Sequence, residues 1–190
     1  MDIFSAIEKR RSCREFLPDP VDGEAIDRIL ASASWAPSPL NSQPWEFIVI
    51  TDPAKKGEIF NEGNRCCQWA IQESGWKWLG TYKMDFLKQA PVIIAVVGDP
   101  KKTGMDMFQS EGTVGYQMAC AAAIQNMLLT AHALGLGSLW FTLFDKDALR
   151  KILEIPPEKT PVSLVCIGKP EKMPESVPRK NVKEKTTTIP

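Results

Sequence analysis

Three stretches of this chain carry side chains that could do chemistry. Arg10-Arg11-Ser12-Cys13-Arg14 sets three guanidinium groups and a hydroxyl within five residues. Guanidinium forks give paired hydrogen bonds to phosphate oxygens, and Ser12 adds a neutral donor, so the run reads as a phosphate clamp. The same cations would also suit a solvated helix C-terminus, and for Arg11 the two readings stand level. Pro178-Arg179-Lys180 supplies a second basic group far along the chain. Between them, Ala36 to Trp45 holds Pro37, Pro39 and Pro44 together with Ser38, Asn41, Ser42 and Gln43. Proline stiffens the backbone and removes donors, while the hydroxyl and amide groups offer many contacts to a polar planar ligand. Taken alone, the loop is an ordinary helix-to-strand connection. Its two basic companions favour the ligand.

The elements that would position these groups follow from caps and periodicity. Asp2 caps a first helix with Ile3, Phe4 and Ile7 on one face, and it runs into the arginines. Asp22-Gly23-Glu24 starts a second, whose stripe is Ile26, Ile29, Leu30 and Ala33. Trp45 to Thr51 reads as a strand. Asp52-Pro53 opens a helix expected to reach about Asn61. From Asn61 to Gln89 the pattern is loose, and two short helices are expected there. Its Trp69, Trp76, Trp78, Tyr82 and Phe86 suit a lid or wall for an aromatic substrate, and equally a core or an interface. Cys66 and Cys67 are adjacent, a geometry that rarely forms a disulfide without strain, so they read as packing.

Pro91 to Val97 is a continuous apolar run, the pattern of a strand buried on both faces. Glu111 to Leu134 is the longest expected helix and is apolar nearly all round, which places it in a core or an interface. His132, the only histidine, lies on it and is given no catalytic role. Gly135 ends that helix in a left-handed cap. Leu139 to Phe144 is a short strand, Asp145 caps a helix, and Val162 to Gly168 is the last strand. Residues 171–190 form an extended C-terminal arm on a single domain spanning 1–190.

Composition narrows the function classes. Of 190 residues, 23 are basic and 23 acidic, for a formal net charge of zero. That balance argues against a chain built around nucleic acid or an anionic membrane. No apolar stretch is long enough for a bilayer span. The five cysteines follow neither metal-ligand nor disulfide-framework spacing, so no metal is expected, and a reducing cytoplasm is.

Taken in order, these motifs resemble the FMN-dependent nitroreductase family. The matching pieces are Arg10 to Arg14, Pro37 to Trp45, Gly135-Leu136-Gly137-Ser138-Leu139-Trp140, the run from Ile155-Pro156 through Thr160-Pro161-Val162 to Ile167-Gly168-Lys169-Pro170, and Pro178-Arg179-Lys180. The resemblance implies an α+β fold, with a central, mostly antiparallel sheet flanked by helices. It also implies an intertwined homodimer with FMN at each of two subunit interfaces. On that reading Arg10, Ser12 and Arg179 hold the phosphate, helped by Arg11 and Lys180, and Arg14 lies toward the pyrimidine edge of the flavin. Pro37, Ser38, Pro39, Leu40 and Asn41 contact the ring from the partner subunit. The strand Trp140, Phe141, Thr142, Leu143 presents a backbone N–H to flavin N5. Relatives often carry a small or acidic residue where Thr142 and Leu143 stand, and some carry a further basic residue near the pyrimidine that the sequence does not place here. The Pro-Leu expected after Arg179-Lys180 is Asn181-Val182.

The function expected is an oxidoreductase passing hydride from NADH or NADPH, through FMN, to a nitroaromatic, quinone or similar small electrophile. The cofactor carries the chemistry, so no side-chain nucleophile or general base is assigned. Within the same fold, a dehalogenase or an oxygen-using, flavin-cleaving enzyme is the alternative. Outside it stand a non-catalytic flavin-binding protein and a structural module that binds an acidic partner.

Overall fold

A computed structural model describes residues 1–104, 106–108 and 112–189, with no side-chain description for Met107. Four strands, β1 (Trp45–Ile50), β2 (Val92–Gly98), β3 (Gly137–Phe141) and β4 (Thr160–Gly168), form one sheet in the order β1-β2-β4-β3, and every neighbouring pair is antiparallel. Among the described residues six α-helices surround it: α1 (Ile3–Lys9), α2 (Gly23–Ser34), α3 (Pro53–Ser74), α4 (Phe86–Gln89), α5 (Gly115–Ala133) and α6 (Lys146–Ile152). The α+β class is as expected.

β2 is buried at all seven positions because it has packing on both faces. On one face Ile93, Ala95, Leu139, Phe141 and Leu164 meet Ile59, Phe86 and Leu149. On the other, Ile94, Val96 and Val165 meet Ile29, Ala33, Ala123, Ile124 and Met127. Two-residue alternation along the strands sorts the residues onto these faces. Asp2, Asp22, Asp52 and Asp145 each accept a backbone N–H at the start of a helix, as their sequence positions imply.

Three expectations are corrected. The helix opened by Asp52-Pro53 does not stop near Asn61; it continues through Cys66 and Cys67 to Ser74, where Gly75 closes it at φ 67°. The loose pattern comes from Gly57, Asn61, Gly63 and Asn64. Gly63 is required by contact: a Cβ there would sit 3.3 Å from both Leu87 Cδ1 and Phe141 Cζ. The strand expected to reach Phe144 ends at Phe141, because Phe144 N–H turns back to Thr142 C=O. The long apolar helix begins at Gly115, and its expected start, Glu111, lies outside the described residues.

The proline loop is held by the segment that follows β2. Ser42 Oγ donates to Lys102 C=O, and Asp99 N–H donates to Pro44 C=O. Gly104, at φ 79°, passes so close that a Cβ would lie 2.4 Å from Pro39 Cβ. Gly104→Ala is therefore expected to destabilise the protein by about 1–3 kcal/mol, through backbone strain and the clash. Gly57→Ala, in a helix with open space around the new methyl, should stabilise by about 0.4–1 kcal/mol. Urea unfolding of the two variants tests the contrast, and an unchanged midpoint for Gly104→Ala would sink it.

Candidate functional site

The basic run lies against the open edge of β3. Ser12 bridges Ser138 in parallel, Cys13 N–H donates to Ser138 C=O at 2.9 Å, and Leu17 N–H donates to Lys169 C=O. Gly137 is needed here, since a Cβ on it would lie 2.8 Å from Cys13 Sγ. This geometry brings Arg10, Arg11, Ser12, Arg14 and Arg179 around one cavity of about 290 Å³, with Glu175 also on its wall. The clamp and the distant Arg179 do meet. Lys180 is exposed and does not line this cavity.

Electrostatics there fit an anion. Among the described residues, Arg10, Arg14 and Arg179 have no carboxylate in ion-pairing range. Partial burial, then the neighbouring Arg11 and Arg179 guanidinium groups, pull Arg10 below the usual arginine range. Cations gathered without an ion-paired carboxylate raise the free energy of the empty site and lower that of a phosphate entering it, with Glu175 on the wall offsetting part of that charge. Arg11 has a second job. Its Nη1 donates to Glu8 and Arg10 C=O and its Nη2 to Ser176 Oγ, which ties the C-terminal arm to α1, while its buried Nε has no partner. His132 is pushed below the ordinary histidine range by burial and then by Arg10, Arg11 and Lys9. It is a neutral core residue behind the clamp.

Arg14 joins this cavity to a second, of about 690 Å³, lined by Tyr82, Lys83 and Gln89 and also by the carboxylates of Glu15, Asp85 and Glu171. The Arg14 guanidinium sits 5.8 Å from the Tyr82 ring centroid. Lys83 is a second cation on this cavity. Only the fold brings it beside Arg14, from a connection between α3 and α4 with no motif of its own. The trough therefore runs from the three arginines past Ser12 to Arg14 and Lys83.

Beyond Trp140 the β3 edge offers donors. Ser138 C=O points outward, so by two-residue alternation the backbone groups of Trp140 and Thr142 also face the edge. Among the described residues, the N–H groups of Thr142 and Leu143 are taken by no other backbone carbonyl. They stand next to each other at the strand end. The Phe141 side chain is buried in the core, with its ring 5.6 Å from that of Phe86, so it can act on a ligand only through its backbone.

The proline loop is elsewhere. It precedes Trp45, which pairs with Gly98 on β1's edge, whereas the clamp adjoins Ser138 on β3's edge. At about 3.3 Å per residue and about 4.8 Å per strand, the loop and the clamp are roughly 20 Å apart along the sheet and roughly 14 Å across it. Pro37, Ser38, Pro39 and Leu40 line their own cavity of about 480 Å³ with Met118, Ala119 and Ala122, and Asn41 lies outside its lining. Leu40, Asn41 and Gln43 have φ of 52°, 53° and 44°, conformations that non-glycine residues adopt at a cost. Strain of this kind clusters in loops whose shape is used.

Glu62, missed in the sequence, is a hub between α3 and the segment after β3. Its carboxylate accepts Arg65 Nε and Nη2 at 2.8 Å, Cys66 Sγ at 3.0 Å and Asp145 N–H at 3.0 Å. Hydrogen bonding by Arg65 holds its pKa down to about 2 from an ordinary 4.5, against the opposing effect of burial. The folded value is depressed, so the stabilisation is complete above about pH 4.5 and disappears as pH falls toward 2. At about 1.4 kcal/mol per tenfold change in proton affinity, it amounts to roughly 2–4 kcal/mol. The unfolding free energies of wild type and Glu62→Gln should differ by that amount at pH 6 and converge near pH 2. A constant gap would contradict the assignment. Cys66 is pushed up to about 11 by burial and Glu62, and all five cysteines are free. Among the described residues no cluster could hold a metal, and no helix is long and apolar enough to cross a membrane.

Comparisons with known proteins give the family. The 5,6-dimethylbenzimidazole synthase of Rhodospirillum rubrum is 34% identical over 165 residues, 85% of this chain and 78% of that one. A Methanothermobacter thermautotrophicus protein, named for an NADH dehydrogenase/NAD(P)H nitroreductase activity, is 33% identical over 181 residues, 92% of this chain and 80% of that one. A nitroreductase-type protein of Desulfovibrio desulfuricans, solved in complex with FMN, is 28% identical with a TM-score of 0.75, covering 100% of this chain and 98% of that one. A sequence profile described as Nitroreductase family matches residues 7–169, from within α1 to just past β4, and the chain belongs to the nitroreductase family.

Proposed function

We propose that this chain is an FMN-dependent oxidoreductase that moves reducing equivalents from NAD(P)H to a small electrophilic acceptor such as a nitroaromatic or a quinone. The observation that carries the reading is the trough, with three guanidinium groups at one end and the Arg14 and Lys83 cations beyond Ser12, together with the Thr142 N–H at the end of the same β3 edge, taken by no backbone carbonyl among the described residues. FMN fits it. Arg10, Ser12 and Arg179 would hold its phosphate, and the Thr142 N–H on the β3 edge would be a donor to its ring. The FMN complex of the Desulfovibrio protein supports the choice of cofactor, and the Methanothermobacter relative's name supports the donor. Bound FMN would supply two-electron chemistry, accepting hydride from NAD(P)H and passing it to the acceptor. Arg14 and Lys83 favour negative charge gathering at their edge, and the clamp fixes orientation. Lys180 is kept as an outlying helper that attracts the anion.

A homodimer in which the proline loop serves the partner's flavin completes this reading. α5 starts at the proline loop's corner, where Gly115, Met118 and Ala122 line its cavity, and ends at His132 behind the clamp, roughly 28 Å away at about 1.5 Å per residue. Met118, Ala121, Ala122, Gln125 and Leu129 leave an incompletely covered, mostly apolar stripe along it. Two copies packed antiparallel on that stripe by a two-fold axis would bring each proline loop to the other's clamp.

A second reading, an oxygen-using flavin-cleaving enzyme or a dehalogenase, draws on the Rhodospirillum synthase and on Trp69, Trp76 and Trp78, all exposed, of which Trp78 packs against Tyr82 of the trough wall. One experiment separates these. The purified protein should be yellow and release FMN rather than FAD, because the trough has one phosphate clamp and the chain has no glycine-rich strand-to-helix turn for a pyrophosphate. Steady NAD(P)H oxidation with a quinone or nitroaromatic, leaving flavin absorbance intact, supports the first reading. Oxygen-dependent loss of flavin absorbance with a new benzimidazole product supports the second, and a colourless protein that takes up no FMN defeats both.

A further inference from the structure

The segment after β3 is held at two points. At its start, buried Ser163 Oγ donates to Phe141 C=O at 3.0 Å. At its end, Asp145 N–H donates to Glu62 Oε1 at 3.0 Å. Thr142 and Leu143, whose N–H groups are taken by no backbone carbonyl among the described residues, lie between these anchors. On the α3 side Arg65, Cys66, Trp69 and Ala70 face Thr142 to Asp145 across a cavity of about 430 Å³, while the Leu143 and Phe144 side chains pack against the core, so the Asp145–Glu62 bond is the segment's polar anchor to α3. Glu62 is 8% exposed and is itself locked by Arg65 and Cys66. A buried carboxylate with four donors is a stiff bracket, because each donor is charge-assisted and moving any of them strands the rest.

We propose that Glu62 is the positioning residue of the flavin edge: through Asp145 N–H it fixes where the Thr142 and Leu143 N–H groups point, and so sets the electron affinity of the bound cofactor without touching it. This rests on the reading that FMN lies along β3. Donors aimed at developing charge stabilise it only while held in place, and small displacements lose most of the effect. The proposal also separates two properties of Glu62. Its charge, paired with Arg65, contributes pH-dependent stability, whereas its Oε1, as an acceptor for Asp145, positions the segment.

The test compares wild type, Glu62→Met, Glu62→Gln and Arg65→Met by FMN titration of apoprotein, dye-equilibrated midpoint potential of the bound flavin, NAD(P)H reduction rate and amide exchange at Asp145. Methionine keeps the bulk and cannot bracket Asp145; glutamine keeps the acceptor. Glu62→Met should bind FMN within about threefold of wild type, since the clamp is untouched, yet show a lower potential and a roughly 10–100-fold slower reduction. Glu62→Gln should rescue both, although it loses stability at neutral pH. Asp145 exchange should quicken in Glu62→Met even without FMN. Should Glu62→Met not fold, Arg65→Met decides, because that side chain is mostly exposed and its loss should shift the potential the same way by less. Variants that melt earlier but keep the wild-type potential and rate would make Glu62 purely structural and overturn the proposal. So would a Glu62→Gln as impaired as Glu62→Met. A wild type that takes up no FMN would instead fail the flavin reading itself, and the proposal with it.

Discussion

Arg10→Ala should weaken FMN binding roughly 10–100-fold while leaving the apoprotein as stable as wild type, or more so. The two halves of this result come from one observation. Arg10 sits among Arg11 and Arg179 without a carboxylate partner, and its acidity is displaced in the direction that burial and like charge impose. Removing it relieves repulsion in the empty site. With phosphate bound, the same removal loses a charge-assisted contact of about 1.5–3 kcal/mol, which is the stated range in Kd. Added salt should narrow the difference between wild type and variant, because part of it is screened attraction. Arg179→Ala should behave alike. Lys180→Ala, outside the cavity lining, should change Kd far less. Arg14→Ala should mainly slow reduction by NAD(P)H, because Arg14 stands between the clamp and Lys83. Fluorescence titration of apoprotein and calorimetric melting measure both halves. An apoprotein destabilised in step with the lost affinity would show Arg10 to be part of the fold rather than of the site.

The parts of this molecule readable from sequence are those whose cause is local. Four aspartates announce four helix starts because a cap acts within three residues. β2 is legible because a strand packed on both faces has no polar alternation to hide it. The clamp is legible because three arginines in five residues need a reason. What escaped has its cause across the fold. α3 looks broken after Asn61 because Gly63 is chosen for contact with Leu87 and Phe141 rather than for helix propensity. Lys83 and Glu62 are single charges in a polar stretch, and only tertiary packing places one beside Arg14 and the other under Asp145. Leu40, Asn41 and Gln43 adopt left-handed backbone with no glycine to signal it.

Ala122→Glu should turn the protein into a monomer that has lost FMN affinity by roughly 100-fold at low protein concentration and regains it as concentration rises. Ala122 lies about 15 Å along α5 from His132, at roughly 1.5 Å per residue. A direct effect on the phosphate clamp of the same chain is therefore excluded by distance. Its side chain is only partly covered and adjoins Met118 and the proline loop. A glutamate there is accommodated by an isolated chain, since the helix surface is open. In the two-fold pairing proposed above it would be driven into apolar contact, with the partner's identical charge nearby, and each such burial costs several kcal/mol. Because the clamp of one copy and the proline loop of the other would form one site, losing the pair loses the site. In the wild type, FMN at about 100 times its Kd should raise the unfolding free energy by roughly 2.7 kcal/mol, and more chains should favour the same state. Light scattering and flavin titration across protein concentrations test the coupling. An Ala122→Glu monomer that binds FMN as tightly as wild type would show that one chain holds its flavin unaided, with the proline loop serving some other purpose.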